Sequence, residues 1–198
     1  MSATTQASPA RPLHPGQGKR RGRVTARGRQ VEPAAGDEIR ALLGDGPLRR
    51  DLLIEYLHQI QDRYGHISAQ HIAALAQEMR LAQTEVFEVA TFYHHFDVVK
   101  EGEAPPPPVT VRVCDSLSCA MFGADRLVDE LQATVDSDTV RVVRAPCMGA
   151  CSHAPATMIG KRRVEPATAA AVHAVLAAGD YSPILPEPID LDTYLAHG

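Results

Sequence analysis

Four cysteines constrain this chain more than any other feature, because they form two close pairs that lie far apart in the sequence. Four residues separate Cys114 from Cys119, three separate Cys147 from Cys151, and 27 residues lie between the pairs. Disulfide-stapled scaffolds are small and dense in cysteine, so four cysteines in 198 residues do not suit one. The spacing therefore predicts a site where four reduced thiols come together.

The segment before each cysteine pair has the pattern of a β-strand. Residues 109–114 alternate valine with polar residues, and residues 140–145 form a second valine-rich run. Between them, apolar residues at helical spacing in 123–135 predict a helix. The order strand, helix, strand requires a crossover connection, so the two strands are expected to be parallel. Both cysteine loops then lie at the same end of the sheet.

Further elements are predicted after the second pair. Residues 157–164 suit a tight hairpin, and a helix is expected to begin near Pro166 and to end at Gly179. The resulting order over residues 109–179, β-α-β-β-β-α, is that of a thioredoxin-like domain with helices against a small sheet. Residues 180–198 are expected to form an irregular C-terminal extension.

Residues 37–100 have the pattern of a small helical bundle, which makes the whole chain α+β. Apolar residues at three- and four-residue steps predict a helix that ends near Gly65, a second capped by Ser68 and a third capped by Thr84. Residues 101–108, with four consecutive prolines, predict an extended linker between this bundle and the cysteine domain.

Aromatic and histidine side chains gather at the end of the third predicted helix. We interpret Phe92, Tyr93 and Phe96 as residues that pack in the core or face a neighbouring domain. His94 and His95 are adjacent, so on a helix their side chains would diverge by about 100° and would not chelate one metal ion.

Charge is distributed unevenly along the chain. Residues 1–31 hold seven of the 20 Lys and Arg residues and no acid, which leaves 13 basic residues against 24 acidic ones. Residues 1–36 are predicted to be a basic tail, disordered in isolation, that serves as a docking segment for a partner. The acidic body does not suit nucleic acid, and no apolar run is long enough to insert into a membrane. With no apolar signal segment, the chain is expected to be cytoplasmic and its thiols reduced.

Two cofactors suit four thiolates at these spacings. Structural zinc sites often use four cysteines with two to four residues between paired ligands. Gaps of four and three also suit a two-iron cluster, and the small or apolar loop residues leave backbone N–H groups free to reach the sulfur atoms. His153 after Cys151 fits one half of a Rieske site, but four cysteines favour all-cysteine ligation. The residues favour a 2Fe-2S cluster, with zinc as the competing interpretation.

Both cysteine loops resemble those of the thioredoxin-like 2Fe-2S family, which includes the 24-kDa subunit of respiratory complex I. They read Val-Cys-Asp-Ser-Leu-Ser-Cys at 113–119 and Cys-Met-Gly-Ala-Cys-Ser-His-Ala-Pro at 147–155. Residues 64–67 and 90–96 are similar to the family's G-x-I and A-T-F-Y-x-x-F signatures. The resemblance covers about residues 38–178 and implies one 2Fe-2S cluster. The ligands that it implies are Cys114, Cys119, Cys147 and Cys151.

Within that family, the loop Cys-Asp-Ser-Leu-Ser-Cys looks most like the gamma subunit of soluble, molybdenum-containing, NAD-dependent formate dehydrogenases. Subunits of complex I and of NAD-linked hydrogenases share the four ligands. The resemblance implies a non-catalytic subunit that exchanges single electrons with a flavin. FMN, the NAD(H) site and a 4Fe-4S cluster are expected in one partner subunit, and a catalytic iron-sulfur and molybdenum site in another. A zinc-stabilised adaptor is the alternative from a different class of protein.

Overall fold

The structure, a computed structural model, describes residues 29–44 and 46–197. The predicted basic tail therefore lies mostly outside the described residues. Within those two ranges, no helix has the length and the apolar character needed to span a membrane. The boundaries set at residues 100 and 109 for two separately folding domains stay a prediction.

Four helices and a two-stranded sheet make up the first half of the described chain. The helices are α1 (Pro33–Leu43), α2 (Leu53–Tyr64, after a 3-10 turn at Arg50–Leu52), α3 (Ala69–Met79) and α4 (Gln83–Phe92). The short strands β1 (Ile67–Ser68) and β2 (Val98–Val99) pair in parallel. Apolar side chains from all four helices share one core, which includes Ile39, Leu57, Ile60, Leu75 and Val86. The predicted helical bundle is confirmed, including the end of α2 at Gly65.

Helix α1 begins inside the segment predicted to be a tail. Pro33 occupies the first turn, where the missing N–H of proline removes no helical hydrogen bond. Ala35 and Ile39 are buried in the core of the bundle. The prediction of a structureless tail is therefore wrong for residues 33–36, because burial of this helix offsets a composition poor in large apolar residues.

Ser68 and Thr84 were both expected to cap helices, and only Ser68 does. The Oγ atom of Ser68 accepts a hydrogen bond from the backbone N–H of His71 at 3.0 Å. In return, Nδ1 of His71 accepts one from the backbone N–H of Ser68 at 3.3 Å. Helix α4 begins at Gln83, so Thr84 lies within its first turn, and Ala82 takes the N-cap position without a side-chain hydrogen bond. The prediction of a Thr84 cap is wrong.

We expect Ser68→Ala to lower the free energy of unfolding by about 1 kcal/mol, because the N–H of His71 then loses its acceptor. Thr84→Ala is the matched control: it also removes a hydroxyl from the start of a helix, but no capping bond is lost there. Its effect should stay within about 0.5 kcal/mol. Denaturant unfolding followed by circular dichroism measures both variants. Equal losses would contradict the capping role of Ser68.

A four-stranded sheet and its helices form the second half. The strands are β3 (Val109–Cys114), β4 (Val140–Ala145), β5 (Thr157–Ile159) and β6 (Arg162–Val164), and the helices are α5 (Leu117–Met121), α6 (Ala124–Thr134) and α7 (Ala169–Ala178). The sheet order is β4-β3-β5-β6, with β3 and β4 parallel and the other neighbours antiparallel. A second core includes Val111, Val113, Leu131, Ile159 and Val172. The α+β class, the parallel pair, the hairpin and the order β-α-β-β-β-α are confirmed.

Two boundaries in this half differ from the prediction. Helix α7 begins at Ala169 rather than near Pro166, because Oγ1 of Thr168 accepts a hydrogen bond from the N–H of Ala171 at 3.2 Å and fixes the start. A further helix, α8 (Leu191–His197), lies in the extension that was expected to be irregular. Its seven residues are too few for a periodic pattern to predict it.

Asp97 joins the helical bundle to the sheet. Its Oδ2 atom accepts a hydrogen bond from Nη2 of Arg112 at 2.8 Å, and Oδ1 pairs with Arg141 of β4. Arg112 also donates to the backbone carbonyls of His94 at 3.3 Å and His95 at 2.8 Å. Side chains alternate along β3, so Arg112 lies on the face opposite the valines that pack against α6 and α7. The end of the bundle therefore covers the second face of the sheet.

Candidate metal centre

Two loops bring the four cysteines to one edge of the sheet. Cys114 is the last residue of β3, and Cys119 lies in α5 directly after it. Cys147 follows β4, and Cys151 begins a 3-10 turn. Because β3 and β4 are parallel and pair in register along their whole length, both loops leave the sheet on the same side. The sequence prediction of two cysteine pairs at neighbouring strand ends is confirmed.

All four cysteines are free thiols, and they are arranged two by two. The Sγ atoms of Cys147 and Cys151 lie 3.5 Å apart, while Cys114 and Cys119 are joined by a hydrogen bond between their thiols. Cys114 and Cys119 are buried, and the other pair is exposed. Among the residues that the structure describes, no three His, Cys, Asp or Glu side chains converge as a single metal ion requires.

Burial and hydrogen bonds act in opposite directions on these thiols. Burial opposes ionisation of Cys114, but hydrogen bonds from the Ser116 N–H, the Cys119 thiol and the Ser116 hydroxyl together lower its pKa. Burial raises the pKa of Cys119. The hydrogen bond to Cys147, and then the negative charge on that neighbour, raise the pKa of Cys151. Four thiolates this close together therefore call for a positive counter-charge, which bound metal supplies.

Backbone N–H groups of the second loop are directed at sulfur. The N–H of Gly149 donates to Sγ of Cys147 at 3.4 Å. Gly149 has a φ of 78°, a left-handed conformation that glycine adopts without the steric cost that a Cβ brings. The N–H of Met148 contacts the sulfur of Cys114 and contributes to its lowered pKa. Hydrogen bonds to ligand sulfur are one of the factors that set the potential of an iron-sulfur centre.

Exposed apolar side chains border the first cysteine loop. Leu117, Met121 and Phe122 belong to α5 or follow it, and each exposes more than two thirds of its surface. Large apolar side chains exposed together mark a surface that another protein covers. Sequence reasoning missed this surface, because a five-residue helix has no periodicity from which a face can be predicted.

Other residues singled out from the sequence lie away from the thiols or beside them on the surface. His153 is exposed, and its Nδ1 atom lies 2.9 Å from Oγ of Ser152, as expected of a surface residue. Phe96 is buried in the core of the bundle, which confirms the packing prediction for that ring. Phe92 is 79% exposed and Tyr93 is 40% exposed, so core packing is wrong for Phe92. Helix α4 ends at Phe92, where the ring meets only Tyr93 among the described aromatic residues, edge to face at 5.0 Å.

The donor set suits a 2Fe-2S cluster. Such a cluster is held by four cysteine thiolates, with two protein ligands on each iron. The site has four thiols in two pairs, and N–H groups directed at the sulfur of Cys114 and of Cys147. Zinc would instead require all four sulfur atoms around one ion, at about 2.3 Å from it.

Comparison with known proteins agrees with this geometry. The model of the thioredoxin-like 2Fe-2S ferredoxin family matches residues 39–180. One component of the NADH-quinone oxidoreductase of Aquifex aeolicus (strain VF5) is 31% identical over 121 residues, which are 57% of this chain and 72% of that protein. NADP-reducing hydrogenase subunit HndA of Solidesulfovibrio fructosivorans is 26% identical over 139 residues, with coverages of 66% and 78%.

A solved structure has a similar fold. It is the crystal structure of an NAD+-reducing NiFe-hydrogenase in the air-oxidized state, with a TM-score of 0.53 and 21% sequence identity. The match covers 74% of this chain but only 28% of the hydrogenase chain. At this level of identity the likeness concerns the fold alone.

Proposed function

We propose that this chain, which belongs to the thioredoxin-like 2Fe-2S ferredoxin family, is an electron-transfer subunit of a multisubunit NAD(H)-linked oxidoreductase. The ligands of its single 2Fe-2S cluster in this proposal are Cys114, Cys119, Cys147 and Cys151. The observation that carries the proposal is the arrangement of four free thiols, two by two, at one edge of the sheet. When bound, the cluster supplies a centre that accepts and releases one electron at a time, whereas a flavin also handles electron pairs.

The residues around the thiols bind, shield and orient. Buried Cys114 and Cys119 would hold one iron, and exposed Cys147 and Cys151 would hold the other at the protein surface. The N–H of Gly149 stabilises negative charge on the sulfur of Cys147. The apolar side chains next to α5 would exclude water once a partner covers this edge. The exposed pair thus faces the direction from which an electron donor can approach.

As the parent enzyme we propose an NAD-dependent formate dehydrogenase, in which this chain would be the gamma subunit. The loop Cys-Asp-Ser-Leu-Ser-Cys at residues 114–119 supports this choice. One partner subunit would carry FMN, the NAD(H) site and a 4Fe-4S cluster, and another the iron-sulfur and molybdenum site. The names of the relatives support NADH-quinone oxidoreductase or an NAD(P)-linked hydrogenase as the alternative parent. A cytoplasmic location belongs to the same proposal, because cluster binding needs reduced thiols.

Purification of the tagged full chain from its own cells, together with whatever subunits accompany it, tests this proposal. We expect brown protein that contains about two iron atoms per copy of this chain beyond those of its partners, and a one-electron EPR signal on reduction with NADH. Formate should produce the same signal if the parent is a formate dehydrogenase. Reduction by hydrogen, or a complex that reduces quinone, would instead identify the alternative parent. Colourless protein with one zinc would contradict the electron-transfer role.

A further inference from the structure

A cleft of about 470 Å³ lies between the end of the helical bundle and the second face of the sheet. Its floor includes Arg112 of β3 and both Arg141 and Val143 of β4, while residues 91–99 and the start of the linker form its walls. The four cysteines do not line it. The cleft is therefore a feature distinct from the metal centre.

Arg141 has hydrogen-bonding capacity that the described residues do not use. Its Nη2 atom pairs with Asp97 and donates to Oγ1 of Thr110 at 3.0 Å. Its Nε atom is buried and has no hydrogen-bond partner in the part of the chain that the structure describes. Leaving a buried donor unpaired costs about 1–3 kcal/mol, more when the group is charged. Such a group indicates an acceptor supplied from outside.

The acids of the cleft are already engaged. Asp97 is shared between two guanidinium groups, those of Arg112 and Arg141. Glu103 also lines the cleft, and its carboxylate accepts a hydrogen bond from the backbone N–H of Lys100 at 3.0 Å. A guanidinium binds carboxylates more strongly than neutral acceptors. The unused N–H of Arg141 therefore selects for a carboxylate.

Exposed aromatic rings at the rim indicate that the carboxylate comes from a protein. Tyr93 lines the cleft, and its ring contacts that of Phe92, which is almost wholly exposed. Phe87, one turn earlier on α4, is exposed as well. Aromatic and arginine side chains together are typical of the residues that dominate binding energy in protein interfaces. A free metabolite would not require an apolar surface outside the cleft.

We propose that this cleft is a docking site for a segment of the flavin-carrying partner subunit, in which an Asp or Glu side chain bonds to Arg141 and an apolar neighbour packs on Phe92 and Tyr93. This inference rests on the proposed function for the identity of the partner. The basic residues 1–31 of this chain, which contain no acid, do not have the chemistry to fill the site. The surface next to the bundle thereby becomes a second contact in addition to the cysteine edge.

The test compares variants of the tagged full chain within the complex that it forms in its own cells. Arg141→Gln should raise the dissociation constant for the flavin-carrying partner about 10- to 100-fold, measured by mass photometry across a dilution series. Arg141→Lys keeps the charge opposite Asp97 but has no Nε–H, and it should weaken binding by about tenfold. Lysine restoring wild-type affinity would reduce Arg141 to a partner of Asp97 and overturn the proposal.

Arg144→Gln is the matched control, because Arg144 lies on the same strand and pairs with Asp125 on the exposed surface. It should leave the dissociation constant unchanged, as should the iron content of all three variants. Equal loss of binding in Arg144→Gln and Arg141→Gln would indicate a general effect of charge and contradict the specific site. A wild-type chain without iron or partner would refute the proposed function itself, whereas wild-type affinity in Arg141→Gln refutes only the docking site.

A photo-crosslinking amino acid in place of Tyr93 identifies the occupant. We expect crosslinks to a peptide of the flavin-carrying partner that contains Asp or Glu next to an apolar residue. Crosslinks to a second copy of this chain would overturn the proposal. So would thermal stabilisation by citrate that depends on Arg141 while the affinity for the partner does not, since that result assigns the cleft to a free anion.

Discussion

Replacing any one of the four cysteines with serine will remove the stable 2Fe-2S cluster. A serine hydroxyl is a poorer donor to iron than a thiolate, and each iron depends on two protein ligands. We expect the iron content attributable to this chain to fall from about two atoms toward zero and its visible absorption to bleach. Iron and sulfide analysis, together with EPR of the reduced protein, measures the loss. The positions to test are Cys114, Cys119, Cys147 and Cys151.

Ser152→Ala is the control for these variants, since Ser152 is exposed and adjacent to Cys151, and its hydroxyl lies against His153 rather than against sulfur. It should keep both the iron and the spectrum of the wild type. Visible spectra that stay unchanged in all four serine variants would refute the ligand assignment. Loss of the spectrum in Ser152→Ala as well would show that the loop tolerates no change, and the cysteine result would then not identify ligands.

The exposure of one cysteine pair and the burial of the other follow from where each loop leaves the sheet. Cys114 is still part of β3, which is flanked by β4 and β5, so its side chain remains inside the core. Cys147 lies beyond the end of β4, an edge strand, and is open to solvent. This polarity suits a centre that must be insulated on one side and reached on the other.

The sequence predicted most of what local patterns determine. Strands β3 and β4 were predictable because β-branched residues alternate there, and their parallel pairing followed from the helix between them. The cysteine edge then required no further information. The cap at Ser68 was predictable for the same reason, although Thr84 shows that a hydroxyl before an apolar run is not sufficient. A cap forms only where the backbone leaves its helical path at that residue.

Features that depend on distant residues were not predictable. Asp97 pairs with Arg141, 44 residues further along the chain, and no periodic pattern contains that relation. The cleft beside them exists only because the end of α4 packs over the sheet. The exposure of Phe92 has the same origin, since an aromatic residue at the end of an apolar helix is expected in the core until the neighbouring surface is known.

Asp97→Ala should destabilise the chain by about 3 kcal/mol, because it strands the charge of Arg112, whose side chain is only 8% exposed. The effect falls at the lower end of the range for broken buried pairs, since the carbonyls of His94 and His95 still accept from Arg112. Denaturant unfolding of the cluster-containing chain, followed by circular dichroism, measures the change in the free energy of unfolding. Asp125→Ala, which breaks the exposed pair with Arg144, should cost at most about 1 kcal/mol.

A double variant distinguishes a stranded charge from a lost contact. If the cost of Asp97→Ala comes from an uncompensated guanidinium, then adding Arg112→Met should recover about 1–2 kcal/mol, because the buried charge is removed and an apolar side chain of similar length fills its place. Further destabilisation in the double variant would show instead that Arg112 stabilises the chain through its bonds to the carbonyls of His94 and His95. The bundle would then be held on the sheet by arginine and backbone, with Asp97 serving mainly to orient Arg141 toward the cleft.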